Sequence, residues 1–322
     1  MGQATKPAKP SMQARPSRLR QLAGVLALAV IPALALSACG STVPPPGVAA
    51  ESSPATLPYV ADAPEAFDVR ARAVLAALRA DGTLSRYAAS LVLLSPRVVE
   101  TGYPTDQLKE AFGSGGFEAA PGLRGDSTTR TVTLTDGSTR SLPVLGARET
   151  LELARRGAPG CEAVASACPV LVTRAELGTV EADTNHGRVK LPAWQFWADG
   201  LTTPYNVIAV EESALGSLPA PPTLSGAGQE GTAGLLSAQP PVVVRDDALV
   251  VTIGHGACDL GLGAHLLEES DAVVVGGSFS GMSGEVCTAQ LIGTPATMPL
   301  SRPLGARPVV DVVTGTVLTT SS

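Results

Sequence analysis

The sequence predicts an α+β fold dominated by antiparallel strands, sandwich-like, with a few helices in the first third. Three observations predict it. Period-2 alternation punctuated by Asp136-Gly137 and Asn185-His186-Gly187 turns recurs along the chain. Helical spacing is confined to short stretches before residue 157. The regular strand–helix alternation of a parallel sheet is missing.

The N-terminus comes first. Lys6, Lys9, Arg15, Arg18 and Arg20 form a basic leader without acidic residues, and residues 22–36 are apolar apart from Gly24 and Pro32. That layout predicts a secretory signal over residues 1–38. Fifteen residues at 1.5 Å each reach roughly 22 Å, short of the ~30 Å hydrocarbon core, so a permanent span is not expected.

Leu36-Ser37-Ala38-Cys39 resembles the lipobox of bacterial lipoprotein signal peptides, with Leu three positions before Cys and small residues between. The resemblance implies that the Cys39 thiol carries a diacylglyceryl group and that cleavage makes Cys39 the mature N-terminus. The membrane, reached through lipid on Cys39, is then the first partner, and the body sits on the outer face of the cell membrane. Two acyl chains suffice for stable anchoring, at about 0.8 kcal/mol per buried CH₂. No Arg-Arg pair precedes the apolar run, which favours the general secretion route.

Charge excludes one class of partner. Of 23 basic and 29 acidic residues, five basic ones lie in the leader, leaving 18 against 29 and a net charge of −11. Such a body does not attract nucleic acid. Hydrophobic residues make up 44% but aromatics only 3%, so Ala, Val and Leu must fill the core.

Residues 39–58, rich in Pro, Ser and Ala, read as a semi-extended tether of up to about 60 Å. Residues 59–156 form an α+β region. Its best helix is 64–80: Pro64 suits the first turn, Glu65 and Asp68 complement the helix dipole, and Asp81-Gly82 stops it. Phe67, Ala71, Val74, Leu75 and Leu78 give that helix one apolar face. Residues 88–94 fit strand or helix, and 106–112 a short helix. Residues 129–145 form a hairpin around Asp136-Gly137, and 147–156 a helix. Residues 157–212 are β-rich, with a hairpin turning at 185–187. Residues 213–241 are low-complexity and read as a linker. Residues 242–319 read as a meander, with strands expected at 248–253, 264–268, 272–278, 286–292, 296–300 and 309–312.

Beyond Cys39 the cysteines are Cys161, Cys168, Cys258 and Cys287. An even number in an exported protein reads as two disulfides, with three pairings open. The local pairing, Cys161–Cys168 and Cys258–Cys287, is favoured because each pair lies within one apparent structural unit. On the chain-entropy estimate these loops contribute roughly 2.5 and 3.6 kcal/mol.

The cysteine pair Cys161 and Cys168 leads into Leu191-Pro192-Ala193-Trp194-Gln195-Phe196. Farther on come Cys258, Glu269-Ser270-Asp271 with the valine run, Cys287-Thr288-Ala289, and Arg302-Pro303-Leu304-Gly305-Ala306-Arg307 before Asp311. Over roughly 161–318 these motifs resemble a group of actinobacterial exported proteins and lipoproteins. The resemblance supports the local pairing and the β-rich reading and implies no activity.

Chemistry is sparse. His255, Cys258, His265 and Cys287 could make a Cys₂His₂ zinc site, but their spacing matches no usual zinc pattern and an oxidising compartment favours the disulfide. Ser278, Ser280 and Ser283 lie in a glycine-rich stretch, 276–284, that lacks the Gly-x-Ser-x-Gly frame and reads as a flexible hairpin loop. Trp194 and Phe196 share one strand face and are expected in the core, with Trp197 on the other. Were they exposed, Trp194 and Trp197 would be candidates to stack on sugar or peptide. Glu211-Glu212, Asp246-Asp247 and Glu268-Glu269 match no calcium loop, and Gly254-His255-Gly256 lacks a nucleotide-site context. No catalytic residue, metal or cofactor is therefore expected. The expectation is a non-catalytic surface module binding a protein, glycan or envelope component. The alternative is an extracytoplasmic hydrolase, disfavoured by the scarcity of histidine, three in all.

Overall fold

The computed structural model describes residues 56–322 apart from 100–101, 164–167, 225–231 and 285–286. The stretches read as signal and tether, with Cys39, lie outside the described residues through residue 55. The fold is α+β with antiparallel pairing dominant.

Helix α1, Glu65–Ala80, follows Pro64 and carries Glu65 and Asp68 in its first turn. Its buried face is the stripe of Phe67, Ala71, Val74, Leu75 and Leu78 expected from the spacing, together with Arg70. The Asp81-Gly82 stop is real but short. Gly82 turns at φ 74°, the Asp81 carboxylate accepts the Thr83 N–H at 2.9 Å, and a second helix, α2 (Thr83–Ala89), begins at once.

The chain then builds a lobe of its own. Its elements are β1 (Val98–Val99), α3 (Asp106–Gly113), β2 (Phe117–Ala119), β3 (Thr128–Thr133), β4 (Thr139–Val144), α4 (Ala147–Arg155), β5 (Val170–Thr184), β6 (Gly187–Ala198) and β7 (Tyr205–Ile208). One sheet runs β1-β7-β6-β5-β2, and β3 and β4 form the hairpin around Asp136-Gly137. Alternation sorts the side chains of β6 and β7. Trp194, Phe196 and Val207 pack with Phe112, Phe117 and Leu151 from α3, β2 and α4. Val189, Leu191 and Ile208 face the other way, against Val132, Leu134 and Leu142 of the β3–β4 hairpin. With both faces covered, Tyr205 to Val210 can be apolar almost without interruption.

The second lobe holds β8 (Leu235–Leu236), β9 (Ala238–Arg245), β10 (Ala248–Gly256), β11 (Asp259–Leu260), β12 (Gly263–Glu268), β13 (Val273–Ser278), β14 (Gly281–Met282), β15 (Leu291–Pro299), β16 (Val309–Asp311) and β17 (Thr320–Ser321). One sheet is β15-β10-β9-β17; a second is β12-β13-β16, with β8 also paired to β13; β11 and β14 form a small ribbon. The β13–β16 and β9–β17 pairs are parallel, so the strand order departs from a simple meander. Strand β9 starts inside the stretch read as a low-complexity linker. Pro240-Pro241 disguises it, because proline cannot donate to a ladder. The structure accommodates the pair where the β9–β10 register shifts, between Val250 and Thr252.

The layering explains the valine run. Val273 and Val275 point between the two sheets, against Val251, Ile253 and Met298. Ala272 and Val274 point the other way, joining Val310 and Val312 against Phe67, Val74 and Leu78 of α1. The order across this lobe is helix, sheet, sheet. Helices α1 and α2 thus belong to a core whose strands begin some 150 residues later in the chain. A strap completes it: Leu57 pairs with Ala296 of β15 and Tyr59 with Ala264 of β12, both parallel, joining one edge of each sheet.

Both cysteine pairs are disulfides, Cys161–Cys168 and Cys258–Cys287, with Cα–Cα distances of 5.4 and 6.0 Å.

Candidate functional site

Where the lobes meet there is a cleft of about 400 Å³. One wall is the tip of the β5–β6 hairpin, Asp183 to Arg188; the other is the β9–β10 turn with Pro303 to Arg307, and Tyr87 contributes from α2. Small ligands are held in clefts of this size where a few polar groups converge.

The hairpin tip is fixed by its own polar groups. Asn185 is 4% exposed. Its Oδ1 accepts the Val92 N–H at 2.7 Å, and its Nδ2 donates to the Tyr87 and Ser90 carbonyls at 2.7 and 3.1 Å. Thr184 Oγ1 donates to the Gly187 carbonyl and accepts the His186 N–H. The Thr135 hydroxyl donates to the His186 carbonyl. His186 Nε2 lies 2.8 Å from the Ser90 carbonyl and so carries the proton, leaving Nδ1 as the ring's acceptor. Arg140 Nη2, 3.3 Å from the same nitrogen, then meets a donor and makes no hydrogen bond there.

The opposite wall is equally held. Arg307 donates to the carbonyls of Leu304, Glu269, Arg302 and Pro303 and pairs with Glu268 at 2.7 Å. Burial alone would raise the Glu268 carboxyl, but the Ser301 N–H and Arg307 outweigh it and hold it below the usual range. With those bonds made, Arg307 shapes the wall.

Other groups remain open to a ligand. Arg245 is exposed at the end of β9, and its guanidinium is in no ion pair among the described residues. Arg188 has only a loose surface pair with Glu181, at 3.5 Å, which contributes little. Asp246 is exposed beside Arg245, and Asp183 accepts the Ser322 hydroxyl at 3.0 Å. Burial pushes the Tyr87 phenol up, so it stays a hydroxyl at neutral pH. The cleft presents both signs of charge on rigid walls, which suits a ligand bearing amide, hydroxyl or mixed ionic groups.

Of the residues singled out by sequence, Asp246 lines the cleft and Glu268 braces its wall; the tryptophans, cysteines and His255 fall elsewhere. Trp194 is 5% exposed and its Nε1 donates to the Leu145 carbonyl at 2.8 Å, so it has no face on which to stack a ligand. Trp197 is half-buried across the pleat, with the Arg174 guanidinium 4.5 Å above its ring. Cys258 and Cys287 are joined to each other. His255 contacts the Gly256 carbonyl and the Thr294 hydroxyl, both at 2.9 Å. Among the described residues no group of three or more His, Cys, Asp or Glu is placed to hold a metal. No described helix is long and apolar enough to cross a membrane.

One arrangement was not visible in sequence. His265 Nε2 lies 2.7 Å from Ser278 Oγ, and its Nδ1 lies 3.1 Å from the Val60 carbonyl. The β12–β13 register, Gly263 opposite Ser278, puts both side chains on one face. Gly276 and Gly277 are buried β13 residues, and the stretch read as a flexible loop is strand up to Ser278. A serine–imidazole pair is the start of a nucleophile. Here, however, the next two N–H groups are committed, Phe279 to the Gly234 carbonyl and Ser280 to the Leu260 carbonyl. Neither of these two N–H groups is free to receive an oxyanion. His265 is 2% exposed, tilted against Phe67 at 5.4 Å. The pair pins the strap at Val60 to the second sheet.

Burial lowers the His265 pKa from 6.5, against smaller opposing effects of the Val60 carbonyl and Asp68. The unfolded chain therefore takes up the proton first, so stability is full above about pH 6.5 and falls as pH drops below it. Equilibrium unfolding at pH 7.5 and 5.5 should show this loss, and His265→Gln should flatten it. An unchanged slope in the variant would assign the effect elsewhere.

No family model matches the chain, and no curated protein or solved structure matches it. The site is therefore read from its own geometry.

Proposed function

We propose that this chain is a lipid-anchored, extracytoplasmic surface protein that binds a protein segment or glycan in the interlobe cleft and does no chemistry on it. The observation that carries the reading is the pairing of rigid walls with uncommitted side chains, Arg188, Arg245 and Asp246. Because the backbone of both walls is held before binding, the entropy lost on binding is confined to these few side chains. The lipobox at Leu36 to Cys39 supports the address. The hydrolase alternative has one observation in its favour, the Ser278–His265 contact, and the committed N–H groups beside it count against that.

Proximity crosslinking in the native envelope, with wild type and Arg188→Glu/Arg245→Glu side by side, tests the cleft. The double variant should fold with unchanged thermal stability and lose at least tenfold of whatever the wild type captures. Equal capture would remove the cleft from the reading. Labelling of Ser278 by a hydrolase-directed covalent probe would replace it with the alternative. Mass spectrometry of the mature N-terminal peptide should find diacylglyceryl on Cys39.

A further inference from the structure

The second lobe has two ends. At one, the β9–β10 turn at Asp246-Asp247 opens into the cleft. At the other, Gly256 of β10 lies opposite Leu291 of β15, and the β11–β14 ribbon follows. Ala248 and Gly256 are separated along the strand by roughly 26 Å.

This second end exposes large apolar side chains among small and uncharged polar ones, Ser280, Ser283, Thr288 and Gln290. Leu260, Met282 and Leu291 are 49%, 59% and 70% exposed. It is also braced. The Cys258–Cys287 bridge crosses it, and the N–H groups of Ser283 and Ser280 donate to the carbonyls of Cys258 and Leu260 at 2.8 and 2.9 Å. The charged side chain there among the described residues is Asp259, and its carboxylate turns inward to accept the Gly256 N–H at 2.7 Å. Glu285, of the same loop, lies outside the described residues. No Lys or Arg stands between Ala257 and Leu291.

The direction of the strap says what covers this end. Leu57 runs parallel to β15, its N–H donating to the Pro295 carbonyl at 2.9 Å. From Leu57 back to Thr56 the chain is therefore directed toward the Leu291 end of the strand. From Cys39 to Thr56 is 17 residues, a reach of at most about 60 Å.

We infer that the Leu260, Met282 and Leu291 tip rests on the bilayer to which Cys39 is anchored, so that the cleft at the other end of β10 faces away from the membrane. The inference rests on the lipid-anchor reading. The tether keeps the tip at high local concentration beside the lipid. Three exposed apolar side chains can then enter the headgroup boundary, as interfacial segments do. Without a cation at the tip, the contact does not require anionic lipid and persists at high salt.

The test uses full mature protein purified with its native lipid and reconstituted into neutral phosphatidylcholine vesicles, with or without bromine near the top of the acyl chain. Leu291→Trp and Met282→Trp report from the tip, Asp247→Trp from the cleft end, and the native Trp194 and Trp197 signal is subtracted. Brominated lipid should quench either tip tryptophan at least twofold, equally in low and high salt, and leave position 247 unchanged. If the protein floats with the vesicles but neither tip residue is quenched, the orientation is wrong while the anchor stands. If wild-type protein does not float at all, the anchor fails and the orientation goes with it.

Discussion

Replacing Asp311 with alanine is expected to cost about 3–5 kcal/mol of folding free energy, the scale on which one partner is removed from a buried charged network. Asp311 is 1% exposed. Its Oδ1 accepts the Ala238 N–H at 2.8 Å; its Oδ2 accepts the Ser237 hydroxyl at 2.9 Å and the Thr314 N–H and hydroxyl at 2.9 and 2.7 Å. One carboxylate therefore fastens the start of β9, the end of β16 and the turn after it. Without it, the buried Ala238 N–H loses its acceptor, at about 1–3 kcal/mol, and the Thr314 N–H, on an exposed residue, is released from the turn. Arg70 makes the loss worse. It is 6% exposed, donates to the Val312 and Val313 carbonyls, and keeps Nη1 without a partner. Burial lowers its pKa and Asp311 opposes that shift, so the alanine variant strands a buried cation. Asp311→Asn, which keeps the shape and loses the charge, should cost about half as much. Urea unfolding followed by circular dichroism reads both. A loss below about 1 kcal/mol for the alanine variant would mean that the cluster is not acting as described.

Gly277→Ala is expected to cost about 2–3 kcal/mol, near the top of the range for overpacking a dense core. A β-carbon at Gly277 would lie 2.7 Å from Ile253 Cγ2 and 3.0 Å from the Gly263 carbonyl oxygen. The carbonyl belongs to the paired strand β12 and cannot withdraw without breaking the ladder. Gly276 faces the helix side, where a β-carbon would come within 3.0 Å of the Leu236 carbonyl and closer still to Val312. The two glycines let β8 and β12 approach β13 from both sides. Gly277→Val should leave little folded protein at 37 °C, seen as loss of soluble yield and of near-ultraviolet ellipticity. Gly281→Ala is the control, because no atom stands within 4 Å of the position its β-carbon would take.

Local patterns made much of the fold legible. The α1 stripe, the Asp136-Gly137 hairpin and the Asn185-His186-Gly187 turn each depend on a few neighbouring residues, and each was readable from them. Strand β9 was hidden because Pro240-Pro241 usually forbids a ladder, and only the irregular register opposite explains its place. Helix α2 was hidden because a glycine that ends one helix is indistinguishable, in sequence, from a glycine that joins two.

The cleft was not legible. Arg188 stands beside a hairpin turn and Arg245 precedes an acidic pair, and nothing in either neighbourhood marks it as one half of a site. The same holds for His265 and Ser278, 13 positions apart, which meet only because of the β12–β13 register. Trp194 and Trp197, conspicuous in an aromatic-poor chain, serve the core and a cross-strand contact with Arg174.

Residue order alone settled what depends on short-range periodicity: the dominance of strands, the turns between them and the charge the body carries. It also favoured the cysteine pairing, because each pair lies within one apparent structural unit. Only the folded chain decided that α1 covers a sheet made from the last third, that Arg70 of α1 is buried beside the Asp311 cluster, and that a cleft opens at one end of β10 while exposed apolar side chains stand at the other. Those are contacts between residues far apart along the chain, and no local preference can specify which distant surface a face will meet.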